Sequence, residues 1–229
     1  MPLTALKTAV LEANLATVSH GLVKATFGNA SGIDRASGRI AIKPSGVPYD
    51  RMTPDHMVIT DLDGVPLDNR LRPSSDLDTH VVLYREFPQI GAIIHTHSTY
   101  ATIMAQARRP VPPLGTTHAD YFHGTIPVTR DLTSEEINTR YVAATGEVIA
   151  ETVGDGDPLE IPAVLVAGHG PFVWGRDPQE AVLNAVILEE VAKMAWHGAV
   201  IDPQPPVISQ TLLDRHYLRK HGANATYGQ

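Results

Sequence analysis

The 229-residue chain carries 25 acidic against 18 basic side chains, a formal net charge of −7, and 43% hydrophobic residues, enough to bury one large core. The acidic balance argues against general affinity for nucleic acid, which relies on clustered Lys and Arg, although a local pocket can still take an anionic small molecule. Cysteine is absent, which excludes disulfides, thiolate ligands and a cysteine nucleophile, so a metal must be held by His, Asp or Glu.

The start of the chain shows no long apolar segment behind a basic stretch, and no later run approaches bilayer length, so the expectation is a soluble, cytoplasmic protein with no membrane partner. No linker divides the sequence, which reads as one domain over residues 1–229. Leu3, Leu6, Val10, Leu11, Asn14, Leu15 and Val18 recur at nearly helical spacing and predict an amphipathic helix that Gly21 stops. Residues 22–27 read as a strand entering a turn at Gly28-Asn29-Ala30-Ser31-Gly32, whose backbone N–H groups either face an anion or simply reverse a hairpin. A return strand over 39–43 leads to a second small-residue turn, Pro44-Ser45-Gly46, with Lys43 at its threshold; together the two turns can form one cradle.

Residues 57–60 read as a strand and Asp63-Gly64 as a turn. A helix over 76–87 follows, with Ser75 as N-cap and Pro88 beyond its end. Ser74 and Ser75 then stand at a helix N-terminus, which favours an anion, while Asp76 serves either the helix dipole or a metal. An apolar strand running into His95-Thr96-His97 places two imidazoles on one strand face, where both can reach one ion; a catalytic zinc site wants about three protein ligands and an open position. Ser98 caps a helix to about residue 107, and residues 111–128, including Gly115-Thr116-Thr117-His118-Ala119-Asp120-Tyr121, read as a polar loop. Thr133-Ser134-Glu135-Glu136 is a capping box opening a helix to about residue 153. A strand over 161–167 ends at Gly168-His169-Gly170, a third histidine with room around it. Asp177-Pro178-Gln179-Glu180 opens a well-buried helix, and a last helix over 209–220 carries His216, Arg219 and Lys220, followed by His221 and a polar tail with a lone Tyr227. The fold class expected is α/β, with a central mixed, mainly antiparallel sheet flanked by helices on both faces.

Gly-Asn-Ala-Ser, Lys-Pro-Ser-Gly-Val, Pro-Ser-Ser-Asp, His-Thr-His-Ser, Gly-Thr-Thr-His-Ala-Asp-Tyr, Gly-His-Gly-Pro-Phe and the terminal Tyr-Gly-Gln together make the chain resemble the L-ribulose-5-phosphate 4-epimerases of the class II sugar-phosphate aldolase and epimerase superfamily, over nearly its whole length. The resemblance implies one Zn²⁺ per subunit on His95, His97 and His169, with Asp76 associated with the metal. It implies a substrate phosphate held by Gly28, Asn29, Ser45, Gly46, Ser74 and Ser75, with Lys43 close by, and an acid/base pair of Asp120 and Tyr227. It also implies a homotetramer of four-fold symmetry with sites at subunit interfaces, where the tail 222–229 docks on a neighbour.

The reaction so implied interconverts L-ribulose 5-phosphate and D-xylulose 5-phosphate. C4 is not acidic enough for simple proton removal, so the C3–C4 bond breaks and re-forms on the opposite face of the aldehyde, with two acid/base groups serving the C4 oxygen. Two alternatives stand beside it. One is a class II aldolase of the L-fuculose 1-phosphate type, in which a Glu follows the paired serines where this chain has Asp76. The other is a non-catalytic zinc-stabilised module, which metal removal would unfold. The segment 154–162 departs from the family pattern, as does Ala167-Gly168 ahead of His169.

Overall fold

The computed structural model describes residues 2–68, 70–223, 225 and 226. Its strands are β1 Asn29–Asp34, β2 Arg39–Ile42, β3 Val58–Thr60, β4 Ala92–His95, β5 Ala163–Leu165 and β6 Pro171–Gly175. Its helices are α1 Leu3–Ser19, α2 Leu77–Glu86, α3 Thr99–Gln106, α4 Thr116–Ala119, α5 Ser134–Val153, α6 Pro178–Ile201 and α7 Gln210–His221. The six strands form one sheet in the order β3-β2-β1-β4-β6-β5. Every pairing between them is antiparallel, and the single parallel contact among the described residues, Val128 with Leu165, is an isolated bridge.

Alternation along the strands sorts residues onto two faces. Ala30, Ala92, Ile94, Ala163, Leu165 and Val173 pack beneath α3 and α6, against Ala101, Ala105, Ala185 and Leu188. Their partners in alternation, Ile33, Ile40, Ile42, Ile93, Val164, Phe172 and Trp174, pack beneath α2 and α5, against Val81, Leu83, Tyr84 and Ile149. Helices therefore cover both faces, as the α/β reading expects. Ile40, Ile42 and Ile93 are fully buried, and each such side chain contributes roughly 1.5–3 kcal/mol of transfer free energy. No helix among the described residues is long and apolar enough to cross a membrane.

Several local expectations are corrected. Residues 22–27 form no strand: Leu22 and Val23 are buried, Leu22 in the core beneath α6 and Val23 beside Leu6 and Val10 of α1, and the chain reaches Gly28 through turns. The strand begins at Asn29, so all of the expected turn but Gly28 is itself β1, and the reversal falls at 35–38, where Gly38 takes φ 65°. Small size permits this, because a Cβ on Gly32 would stand 2.9 Å from Val10 Cγ2. Asn29 Nδ2 and Ser31 Oγ meanwhile find partners in Asp76, at the start of α2, and His80 within it. β6 lies in a stretch to which the sequence pattern assigned no element, and α4 is a single helical turn inside the expected loop. α2 starts one residue later than its Ser75 cap predicts, with Asp76 at the N-cap and no side-chain capping bond.

Candidate active site

The histidines meet at the ends of β4 and β6. His95 is the last residue of β4, opposite Phe172, and its ring stacks on the Phe172 ring at 4.2 Å. Its Nδ1 donates to the Pro171 carbonyl at 3.0 Å, which leaves Nε2 as the free ligand atom. His97 lies beyond the end of the strand, so a strand face does not carry it toward His95 as the spacing suggested; the turn out of β4 does. The backbone there is closely approached by the 168–170 turn. A Cβ on Gly170 would stand 2.8 Å from the Thr96 carbonyl oxygen and 3.2 Å from His97 Cδ2, so only glycine fits. His97 stacks on Phe27, and His169 Nδ1 lies 3.4 Å from the Tyr141 hydroxyl.

Ligand atoms of His95, His97 and His169 all lie within 4.8 Å of one another. Burial lowers the pKa of all three. It holds His95 well below the usual value, with the neighbouring His169 adding to the effect, and it lowers His97 and His169 as well. Three neutral imidazoles with converging lone pairs are a donor set that fits a divalent cation. Asp76 faces the same cleft, its Oδ2 accepting from Asn29 Nδ2 at 2.6 Å.

The cleft measures about 280 Å³, and its lining brings together Gly28, Asn29, Lys43, Ser45, Gly46, Ser74, Ser75 and Asp76 with the three histidines. Two segments are laced together to make its wall: Ser74 N donates to the Lys43 carbonyl at 2.9 Å and Ser45 N to the Arg72 carbonyl at 2.9 Å. Lys43 is buried, its Nζ donating to the Thr26 carbonyl at 3.3 Å and standing 4.8 Å from the centre of the Tyr49 ring. Burial lowers its pKa and the Asp76 carboxylate opposes that shift. Small residues, a helix start and one ammonium group on one wall, facing three imidazoles on the other, suit a ligand that is anionic at one end and oxygen-rich at the other.

The family described as Class II Aldolase and Adducin N-terminal domain matches residues 8–196. The chain belongs to this family. Among solved structures it is similar to an L-fuculose 1-phosphate aldolase, with TM-score 0.79 and 26% identity over 93% of this chain and 94% of the other. YgbL of Escherichia coli shares the fold with TM-score 0.75 and 23% identity, covering 94% of this chain and 99% of its own. An L-fuculose-1-phosphate aldolase from Thermus thermophilus shares it with TM-score 0.66 and 23% identity, covering 88% and 98%.

In this class II aldolase-type fold Asp120 stands apart from the other expected site residues. It is the C-cap of α4 and is not among the residues lining the chain's own cleft. Its Oδ1 accepts from His216 Nδ1 at 2.9 Å and Arg219 Nη2 at 3.1 Å, and its carbonyl lies 2.9 Å from His221 Nε2, all from α7. Tyr227 lies outside the described residues, as does half of the tail 222–229 expected to dock on a neighbour.

Sequence reasoning missed Tyr49, Tyr141 and His80. Tyr49 donates to the carbonyls of Phe27 and Gly28, 3.0 Å each, and so holds the turn beneath the cleft; burial pushes its pKa up to about 12. Tyr141 reaches His169 because α5 breaks at Arg140, whose φ −155° and ψ 37° are not helical, and no residue pattern announces that break. His80 was legible: Asp76, His80 and Tyr84 recur every fourth residue, which puts them on one face of α2.

Proposed function

We propose that this class II aldolase-type chain is a zinc-dependent cytoplasmic enzyme that breaks and re-forms the C3–C4 bond of a pentulose 5-phosphate, interconverting L-ribulose 5-phosphate and D-xylulose 5-phosphate. The observation that carries the reading is the cleft in which three neutral imidazoles face the small-residue wall of Ser45, Gly46, Ser74 and Ser75. His95, His97 and His169, with Asp76 beside them, would hold the ion. When bound, it would supply Lewis-acid polarisation of the sugar's carbonyl and adjacent hydroxyl oxygens.

Backbone N–H groups and hydroxyls of the serine wall hold the phosphate, and Lys43 adds a compensating charge. That grip keeps the glycolaldehyde phosphate fragment in place after cleavage, so its aldehyde can turn over and be attacked on the other face. Asp120 and Tyr227 move the proton at the C4 oxygen, one on each side. Asp120 lies outside the lining of its own chain's cleft, which supports a homotetramer in which the pair and the tail 222–229 serve a neighbouring copy.

The second reading is an aldolase that releases the aldehyde, favoured by the 26% identity with an L-fuculose 1-phosphate aldolase at TM-score 0.79. Incubation of zinc-loaded protein with L-ribulose 5-phosphate separates the two. D-xylulose 5-phosphate with little free glycolaldehyde phosphate, both lost on chelation, is the epimerase outcome. Free aldehyde without epimer means an aldolase, and no turnover with zinc bound refutes this substrate.

A further inference from the structure

Behind the cleft, α2 meets β1 through a seam of polar side chains. Asn29 and Ser31 alternate onto the α2 side of β1, and Asp76, His80 and Tyr84 follow one another along the facing stripe of the helix. Ser31, His80 and Tyr84 are at most 1% exposed and Asn29 is 3% exposed. Ser31 Oγ lies 2.7 Å from His80 Nδ1 and 2.7 Å from the Tyr84 hydroxyl. The His80 ring meets the Phe172 ring edge-on at 6.0 Å, and Phe172 is the ring on which His95 stacks.

Two atoms of this seam are buried without a hydrogen-bond partner among the described residues, His80 Nε2 and Asn29 Oδ1. Donor and acceptor counting then points to one order of the protons. The Asp76 carboxylate only accepts, so the Asn29 amide must turn its Nδ2 toward it, which leaves Oδ1 needing a donor. His80 Nε2 can be that donor only if Nδ1 accepts. In that arrangement Ser31 donates its one proton to His80 Nδ1, and the Tyr84 hydroxyl donates to Ser31 Oγ. This arrangement gives both loose ends a partner.

We propose that Tyr84, Ser31 and His80 form a proton-ordered chain that runs from His80 Nε2–H, through one buried water, to Asn29 Oδ1, and so fixes the Asn29 amide that orients the Asp76 carboxylate toward the cleft. His80 is thereby a positioning residue, acting on the site through Asn29 and Asp76. The consequence for zinc rests on the reading of His95, His97 and His169 as ligands, whereas the hydrogen-bond order does not.

The test begins with the metal-free full-length protein labelled with ¹⁵N, in which two-bond correlations report the tautomer of each histidine and a His80→Phe variant identifies the His80 signals. The expected state is Nε2–H with a bare Nδ1; an Nδ1–H tautomer overturns the proposal. Zinc affinity is then measured by chelator competition. His80→Phe is expected to weaken zinc about tenfold, in line with the loss of other groups that orient a ligand set. His80→Gln, which keeps one acceptor and one donor, is expected to restore affinity to within about twofold of wild type. With Asp76→Asn already present, His80→Phe should have no further effect, and an unchanged tenfold loss in that background overturns the route through Asp76. Should His80→Phe not fold, Tyr84→Phe replaces it: with the donor to Ser31 removed, the Nδ1–H tautomer should become populated, and a tautomer that stays entirely Nε2–H refutes the ordered chain. Wild-type protein that binds no zinc would instead refute the metal reading, and the tautomer measurement would still decide the chain.

Discussion

At the scale of single residues, the histidine cluster depends on tight backbone packing as much as on ligand chemistry. His97→Asn removes one of the three converging imidazoles, and metal content after zinc loading should fall well below one ion per chain; full occupancy would show that His97 is no ligand. Gly170→Ala tests the packing. The added methyl cannot coexist with the Thr96 carbonyl at 2.8 Å, so the turn must move and take His169 and His97 out of register. Overpacking of this kind costs about 1–3 kcal/mol, and the variant should melt lower and also bind zinc more weakly. Unaltered zinc affinity in a folded Gly170→Ala protein would show that the turn has slack. The three imidazoles and the serine wall were legible in the sequence because small residues and histidines at element ends are local signals. Tyr141 was not, because its approach to His169 follows from a helix break with no residue signature.

At the scale of elements, the helix starts follow from short-range hydrogen bonds. Thr133 Oγ1 accepts from Glu136 N at 3.2 Å while Thr133 N donates to Glu136 Oε2 at 2.7 Å, and Arg130 clasps the same carboxylate with two bonds of 2.9 Å. Arg130 first, and the Thr133 backbone second, hold the Glu136 pKa down to about 2. Thr133→Ala should cost about 1 kcal/mol, or a fall of roughly 2–4 °C in Tm for a chain of this size; calorimetry showing no change would mean that Arg130 alone anchors the helix start. Strands behaved differently. Residues 22–27 have strand composition but no ladder partner, while Asn29–Asp34, read as a turn in its first half, is an interior strand between β2 and β4. The pairing is decided by what lies on either face: small residues beneath α1 and polar groups against α2. Strand propensity is too weak to override that fit.

At the scale of the whole molecule, the burial of His80 predicts that the metal-free protein loses stability in acid. Burial pushes the His80 pKa down to about 3, with Asp76 opposing and His95 reinforcing the shift. In the unfolded chain a histidine takes its proton near pH 6.5, so below that value the unfolded state gains protons that the folded state refuses. Stability contributed by keeping His80 neutral is intact above pH 6.5, declines through the window down to about 3, and is fully lost there. Between pH 6.5 and 5 this residue alone accounts for roughly 2 kcal/mol. Urea midpoints of metal-free protein should therefore fall over that range, and those of a folded His80→Phe variant should fall less. Equal slopes would show that His80 is charged in the native state. The proposed assembly is tested by light scattering, where a mass four times that of the chain is expected and a monomer would refute it.

Residue chemistry along the chain determined what a site here can be made of: without cysteine, a metal falls to imidazole and carboxylate, and capping motifs such as Thr133 to Glu136 and Asp177 to Glu180 start helices by bonds that span only three residues. Tertiary structure alone decided which elements meet. The antiparallel pairing of β4 with β6 sets His95 opposite Phe172 and brings His169 to it from more than seventy positions away, and the packing of α7 on α4 bonds Asp120 to His216 and Arg219, outside the lining of the cleft. Local hydrogen bonds can be read from a few neighbouring residues. Strand register and helix docking depend on apolar faces far apart in the chain, whose complementarity exists only once they are folded against each other.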